Sequence, residues 1–144
     1  LLSLHNVDGL GIGSIHTSIN NNSNCSCPQY VTVDHHHRII TTDSYDHSVK
    51  VFSRQGDLLR QFGHDDLSVI CDPRGVVSDS AGNIIVSDWG GNRVKMFSPD
   101  GVFIEDILTA EHVQNPWGIA VSHNGLIALT EQKLNSSPAL KMFV

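Results

Sequence analysis

The sequence is poor in cysteine and in basic residues, and it has no long apolar run. Three cysteines among 144 residues are too few for a disulfide-stabilised secreted fold, and an odd, low count favours a reducing compartment. Nine basic residues against fifteen acidic ones give a net charge of −6, which argues against a nonspecific nucleic-acid coat. No run approaches the roughly 18 apolar residues that span a bilayer. We therefore expect a cytoplasmic protein without membrane contact, although N-x-S/T patterns at Asn21, Asn24 and Asn135 would suit secretion.

What the sequence does contain is an internal repeat. From Pro28 the chain reads P-x-x-V-x-x-D-x-x-x-x-I-I-x-x-D and then V-K-V-F-S-x-x-G, and the first of these patterns returns without a gap from Pro73. A looser copy starts at Pro116 and ends in the Leu-Lys-Met-Phe run of residues 140–143. A period of about 45 residues, built from short apolar segments and turns, is typical of the blades of a β-propeller.

The repeat predicts an all-β fold with about three four-stranded blades. In the second repeat we expect strands over residues 75–78, 83–87, 93–98 and 102–108, separated by Gly- and Asp-containing turns. The predicted units are the outer hairpin of a preceding blade with its connection, and then three blades, over residues 1–24, 25–67, 68–110 and 111–144. Because a partial propeller leaves two blade flanks uncovered, we expect poor stability or self-association.

The second repeat resembles the NHL repeat. It supplies nearly all of that family's pattern, in Pro73-Arg74-Gly75-Val76, Asp79, Gly82-Asn83-Ile84, Asp88, Asn92-Arg93-Val94, Phe97 and Asp100-Gly101. The first repeat departs from the pattern at Tyr30, His37-Arg38 and His47-Ser48, and the third lacks the Asn-x-Arg turn.

The sequence of the first repeat is most similar to the tripartite-motif branch of this family. In that branch a RING, a B-box and a coiled coil precede a six-bladed NHL propeller. The resemblance implies a propeller that recruits protein substrates for a ubiquitin ligase. Its alternative is a propeller that binds single-stranded RNA in post-transcriptional regulation, and a second alternative is a fragment of a secreted metal-binding propeller enzyme. No catalytic site or cofactor is expected in this segment, because ligase chemistry, zinc and coiled-coil oligomerisation would belong to domains outside it.

One end of the predicted propeller collects aromatic and basic residues. The loop before the first strand and the loop between the second and third strands share this end of each blade. The residues that we expect there form the candidate partner- or RNA-binding face, and they are Tyr30, Tyr45, His47, Arg74, Trp89, Asn92, Arg93 and Trp117. Such a set suits stacking on unpaired bases and equally a protein hot spot. Arg74 is the best single candidate for a binding contact.

Several of these residues also have purely structural interpretations. Arg93 is expected to pair with Asp88, Trp89 could cover the neighbouring blade, and Trp117 could line the channel. The Asp34/Asp79 and Asp43/Asp88 pairs recur in each repeat and are expected to accept turn N–H groups.

No metal site or reactive cysteine is expected in this segment. The residues His35-His36-His37 occupy a turn, and we expect them to be solvated rather than to bind a metal. His123 is only a weak candidate for a metal ligand, and Cys25, Cys27 and Cys71 are expected to be plain thiols.

Overall fold

The computed structural model describes residues 2–5, 11–15, 26–66, 68–133 and 137–144, and every regular element among them is a β-strand. Within this described part of the chain, no helix long and apolar enough to cross a bilayer is found. The polar stretch Asn20 to Cys27 was predicted to be the connection between blades, and its residues 20–25, with Cys25 and the acceptor patterns at Asn21 and Asn24, lie outside the described residues, as does Asn135.

The strands form a hairpin followed by three antiparallel sheets. The N-terminal hairpin consists of β1 (Leu2–His5) and β2 (Gly11–Ile15). Sheet 1 has β3 (Pro28–Val33), β4 (Ile39–Asp43), β5 (Ser48–Phe52) and β6 (Leu58–Phe62). Sheet 2 has β7 (Pro73–Ser78), β8 (Ile84–Asp88), β9 (Arg93–Phe97) and β10 (Phe103–Leu108), and sheet 3 has β11 (Pro116–Val121), β12 (Ile127–Glu131) and β13 (Ala139–Phe143).

The all-β propeller architecture predicted from the repeat is confirmed. The four strands of sheet 2 lie within two residues of the bounds that the sequence predicted. Sheet 3 differs from the expectation, because only three strands of it occur among the described residues.

The hairpin turns between first and second strands repeat the same backbone conformation. His37, Gly82 and Gly125 occupy equivalent positions and have φ values of 60°, 83° and 87°. Glycine adopts this left-handed conformation without a steric cost, so Gly82 and Gly125 suit the turns in which they lie. Asp34 and Asp79 accept turn N–H groups, as expected, with bonds of 2.8 Å to the amides of Arg38 and Asn83.

The three sheets pack face to face around apolar layers. One layer joins sheets 1 and 2 and contains the buried residues Ile40, Val49, Val51, Ile70, Val76, Ile84, Val86 and Phe97. The other joins sheets 2 and 3 and contains Ile85, Val94, Leu108, Val113, Ile127 and Leu129. Strand residues of sheet 2 contribute to both layers, which is why its second strand is apolar on both faces.

Buried hydroxyl groups link the inner strands of neighbouring sheets. Thr42 donates a 2.5 Å hydrogen bond to the carbonyl of Arg74, and Ser87 donates one of the same length to the carbonyl of Trp117. These two hydroxyls occupy the same repeat position, so the link between sheets repeats along the chain. It places the second residues of β7 and β11 at one end of the sheet stack.

Candidate ligand-binding face

Arg74 lies between two tryptophans. Its guanidinium carbon is 4.6 Å from the ring centroid of Trp117 and 5.7 Å from that of Trp89. Arg74 and Trp117 are the second residues of adjacent inner strands, and Trp89 follows the second strand of sheet 2, so all three reach the same end. A cation over an indole face is stabilising by about 0.5–2 kcal/mol. Three of the predicted face residues therefore form one cluster.

Asp72 completes this cluster, although the sequence analysis did not include it in the face. Its Oδ2 atom is 2.8 Å from the Arg74 guanidinium, and the two side chains are about one fifth exposed, at 20% and 17%. Asp72 Oδ1, Arg74 Nε and Trp89 Nε1 are all buried without a hydrogen-bond partner among the described residues. A buried polar atom without a hydrogen-bond partner costs about 1–3 kcal/mol. The cluster therefore holds three polar atoms that are buried at a cost in free energy. The sequence could have indicated the place of Asp72 in this cluster, because the Asp-Pro-Arg run places it two residues before Arg74.

The loops that carry the cluster are held by Asp88. Its carboxylate is buried and accepts the backbone N–H groups of Cys71, Asp72 and Gly91 at 3.2, 2.8 and 3.3 Å. The backbone N–H of Trp89 in turn donates to the backbone carbonyl of Asp72 at 2.9 Å. Asp88 therefore accepts turn amides, as predicted, and fixes Asp72 relative to Trp89.

The predicted pairing of Arg93 with Asp88 is wrong. Arg93 instead forms an ion pair with Asp106 on the neighbouring strand β10. The Asp88 carboxylate is occupied by backbone amides, whereas Asp106 is accessible to Arg93 and also accepts from Lys95 at 3.0 Å. Burial by itself raises the pKa of Asp106, but the hydrogen bonds and charges of Lys95 and Arg93 outweigh it and leave that pKa below its usual value.

Tyr30 extends along the inner strands towards sheet 3. A Cβ atom placed on Gly118 would lie 4.0 Å from the Tyr30 hydroxyl, and one placed on Gly75 would lie 2.5 Å from the carbonyl oxygen of Trp117. Glycine at position 75 therefore permits the close approach of β7 to β11. The ring of Tyr30 packs against the apolar layer between sheets 1 and 2, so only part of it can face a ligand.

Two further face residues connect neighbouring sheets. His47 and Asn92 are equivalent in the repeat and share a left-handed backbone, with φ values of 55° and 52°. His47 Nδ1 lies within hydrogen-bond distance of the backbone carbonyl of Cys71, and the side-chain Oδ1 of Asn92 accepts the backbone N–H of Asn115 at 2.7 Å. These contacts give both side chains a structural role, while Tyr45 beside them is 58% exposed.

A buried ion cluster supports the same end in sheet 1. Lys50 is 1% exposed, and its Nζ lies 2.9 Å from Asp43 and 2.6 Å from Asp46. Burial raises the pKa of Asp43, but hydrogen bonds from Ser26 and Lys50 lower it to a greater extent. Sequence analysis did not single out Lys50, because a lysine on a strand is usually solvent-exposed.

The remaining candidate groups do not converge. The side chains of His35, His36 and His37 are exposed, with the first two rings 3.9 Å apart, and His123 is exposed in the turn after β11. In the described ranges no group of three His, Cys, Asp or Glu residues is placed to hold a metal ion. Cys27 and Cys71 are free thiols, and burial, together with the charges of Asp88 and Asp72, raises the pKa of Cys71.

Similarities to known proteins agree with this architecture. The chain resembles virginiamycin B lyase from Staphylococcus aureus with a TM-score of 0.66 at 13% identity, over 96% of this chain and 47% of the lyase. It resembles the calcium-binding protein regucalcin from Agrobacterium tumefaciens with a TM-score of 0.59 at 14% identity, over 76% of this chain and 40% of that protein. The chain is thus a segment of a β-propeller.

The sequence comparisons define the kind of repeat. Residues 71–97 match the model of the NHL repeat. The chain is also 30% identical over 111 residues to the protein brain tumor of Drosophila melanogaster, an alignment that covers 74% of this chain and 11% of that protein. The chain belongs to the NHL-repeat β-propellers, and it spans less than half the length of the relatives described here.

Proposed function

We propose that this chain is the partner-recruiting part of a tripartite-motif ubiquitin ligase, and that it binds protein partners through the cluster of Asp72, Arg74, Trp89 and Trp117. The NHL repeat and the similarity to protein brain tumor support the family assignment. The observation that carries the proposal is the Arg74 guanidinium between two partly buried indoles. Tryptophan and arginine are the residues that dominate the energy of protein interfaces.

The charges around the cluster favour a protein partner over a nucleic acid. Asp72 lies against Arg74 and Asp106 lies against Arg93, so a phosphate that approached either cation would also meet a carboxylate. The net charge of −6 adds to the repulsion of a polyanion. A protein segment that offers a peptide group, in contrast, could accept a hydrogen bond from Arg74 or Trp89 and donate one to Asp72 after a small local opening.

Single-stranded RNA is the second candidate, since indole and phenol rings at one end can stack on bases. The exposed ring of Tyr45 and the partly exposed rings of Trp89 and Trp117 favour it. Under this alternative, affinity would fall steeply with salt concentration because bound phosphates release counterions.

A variant copied from sheet 1 tests both candidates. Gln29 and Ser44 occupy in sheet 1 the positions of Arg74 and Trp89, so Arg74→Gln with Trp89→Ser gives sheet 2 a pair of residues that sheet 1 already accommodates. Peptides would be selected from a random phage-displayed library on the immobilised chain, and a random-sequence single-stranded RNA pool would be titrated at two salt concentrations. The matched control is Arg60→Gln, which removes an exposed arginine paired with Asp100 away from the cluster.

We expect the selected peptides to bind the wild type and the Arg60→Gln control equally, and to lose about a hundredfold in affinity for the double variant. Peptide binding that is the same for all three proteins would contradict the proposal. Salt-dependent RNA binding that the double variant abolishes, without any peptide being selected, would replace it with the RNA alternative.

A further inference from the structure

The cluster at the candidate face contains a matched set of unpaired hydrogen-bonding atoms. Asp72 Oδ1, Arg74 Nε and Trp89 Nε1 are buried and have no hydrogen-bond partner among the described residues. The carboxylate oxygen is an acceptor, whereas the guanidinium and indole N–H groups are donors. The cluster therefore offers two donors and one acceptor to a group that it does not itself contain. These atoms are covered by the chain itself where sheets 2 and 3 adjoin, so their burial does not depend on what adjoins either end of the sequence.

Sheet 1 shows which group fits between the equivalent positions. In sheet 1 the positions of the three cluster residues are held by Cys27, Gln29 and Ser44. The side-chain Nε2 of Gln29 donates to the Cys27 sulfur and to the Ser44 hydroxyl, at 3.1 Å each. A carboxamide of the chain itself thus bonds to both neighbouring side chains in sheet 1. In sheet 2 arginine replaces this carboxamide, and polar atoms at the same positions stay unpaired.

We propose that the recruited protein inserts the primary carboxamide of an asparagine or glutamine side chain into the cluster, an inference that rests on the proposed function. The carboxamide oxygen accepts hydrogen bonds from Arg74 Nε and Trp89 Nε1, and its amino group donates one to Asp72 Oδ1. A side-chain carboxamide presents its oxygen and its amino group at one tip. The C=O and N–H of a trans peptide group point in opposite directions, so a backbone group reaches only part of this set.

Other polar side chains match the three atoms less well. A carboxylate has no proton to donate and would meet the negative charge of Asp72, whereas an ammonium or guanidinium group has no acceptor for the two N–H donors. A serine or threonine hydroxyl has one donor and two acceptor sites, but its short stem keeps it close to the partner's backbone. Because the three atoms lie beneath the surface, the longer carboxamide side chain reaches them better.

The movement of one indole gives access to these atoms. The Arg74 guanidinium carbon is 4.6 Å from the ring centroid of Trp117 and 5.7 Å from that of Trp89, so Trp89 packs less closely on it. Trp117 lies on strand β11, whereas Trp89 lies in the loop after β8. Its Nε1 has no partner among the described residues, so turning the indole outward breaks no described hydrogen bond of that atom. Such side-chain rotations are common when proteins bind.

Peptide selection tests this inference separately from the proposed function. The peptides selected on the wild type should share an asparagine or a glutamine at one position. Replacing it by the similarly shaped leucine or methionine should weaken binding about a hundredfold, because the three buried atoms lose their partner. Selected peptides that depend on Arg74 and Trp89 but share no carboxamide would overturn this inference and leave the proposed function standing. A library that yields no peptide would overturn both.

Asp72→Asn tests whether Asp72 recognises the amino group. The wild type should prefer the carboxamide peptide about a hundredfold over the same peptide with the corresponding carboxylate. In Asp72→Asn this preference should shrink at least tenfold, because the new amide can donate to a carboxylate. The matched control Asp100→Asn removes the same charge from a side chain that is 69% exposed and pairs with Arg60, and it should keep the wild-type preference. An unchanged preference in Asp72→Asn would overturn the role of Asp72, since a general loss of structure weakens both peptides alike.

The wild-type chain offers a readout that needs no change in the cluster, because it contains only two tryptophans. In a proton–nitrogen correlation spectrum, the indole N–H signal of Trp89 is the one that is missing from Trp89→Phe. We expect a saturating amount of the carboxamide peptide to move this signal at least twice as far as the leucine or methionine peptide does, because only the carboxamide accepts a hydrogen bond from it. Equal shifts with both peptides at saturation would overturn the proposed bond to Trp89 Nε1.

Discussion

Sheets 1 and 2 use the same two repeat positions for different chemistry at the candidate face. In sheet 1 these positions hold Gln29 and Ser44, which share a neutral 3.1 Å hydrogen bond. In sheet 2 they hold Arg74 and Trp89, where the guanidinium lies over the indole. The repeat thus supplies two side chains that meet at the end of a sheet, and the sequence of each copy decides what they can bind.

Sheets 1 and 2 each have a buried lysine at the same repeat position, but its charge is neutralised by different carboxylates in the two sheets. Lys50 pairs with Asp43 and with Asp46 of the following loop, whereas the equivalent Lys95 pairs with Asp106 of the outer strand. Gly91 stands at the position of Asp46, so the loop of sheet 2 carries no charge for its lysine. In sheet 2 the anion that neutralises the lysine is Asp106 on strand β10 rather than a residue of the loop. The loop of sheet 2 therefore holds no lysine and can present Trp89 to Arg74. What repeats is the charge balance of the sheet rather than the identity of each residue.

The largest effect should come from removing the two lysines separately. Lys50→Met leaves the fully buried Asp43 carboxylate without its cation, and we expect a loss of about 3–5 kcal/mol in the free energy of unfolding. Lys95→Met should cost less, about 1–3 kcal/mol, because Asp106 keeps Arg93 and is 19% exposed. Urea unfolding followed by circular dichroism measures both.

The exposed pair of Arg60 with Asp100 provides the control, and Arg60→Met should change stability by less than about 1 kcal/mol. Equal losses for Lys50→Met and Lys95→Met would mean that the origin of the anion does not affect how strongly each sheet depends on its lysine.

Much of this fold could be predicted from the sequence, because apolar alternation, turn residues and the repeat act locally. The strands of sheet 2 and the amide-binding roles of Asp34, Asp79 and Asp88 follow from such local patterns. The partner of Arg93 could not be predicted in this way. It depends on the register of β9 against β10, which pairs Lys95 with Asp106 and brings that carboxylate within reach of Arg93.

The candidate face was predicted as a set of residues, but not as an arrangement. The position of Arg74 between Trp89 and Trp117 depends on how closely β7 approaches β11, which is a property of packing between sheets. The role of Asp72 depends on which of its oxygen atoms are left buried without a partner, and no spacing in the sequence encodes that.

Acid should weaken the fold through the carboxylates of the ion clusters, and Asp106 offers a way to separate the two sheets. The pKa of Asp106 is lowered in the folded chain, so its contribution to stability is present above the unfolded value of about 4 and is lost as the pH falls through the folded value. We therefore expect the urea midpoint to fall on acidification from about pH 5 to about pH 2, and Asp106→Asn to show a shallower fall.

The dependence that remains in Asp106→Asn should come from groups such as Asp43, whose pKa is also lowered by its Lys50 cluster in sheet 1. A variant whose pH dependence matched that of the wild type would show that the sheet 2 cluster contributes nothing to acid sensitivity.

The smallest expected effect concerns the turns that sheets 1 and 2 share. His37 has a φ of 60° where sheet 2 has Gly82, and a side chain in this left-handed region costs free energy that glycine avoids. His37→Gly should therefore raise the free energy of unfolding, by about 0.5–1 kcal/mol after the larger entropy of the unfolded chain is subtracted. The neighbouring variant His36→Gly removes an imidazole that is also exposed, from a residue without positive φ, so it should be neutral or destabilising. If His36→Gly stabilised the chain as much as His37→Gly, the gain would come from losing an imidazole rather than from relieving the backbone, and the turns of the two sheets would be equally relaxed.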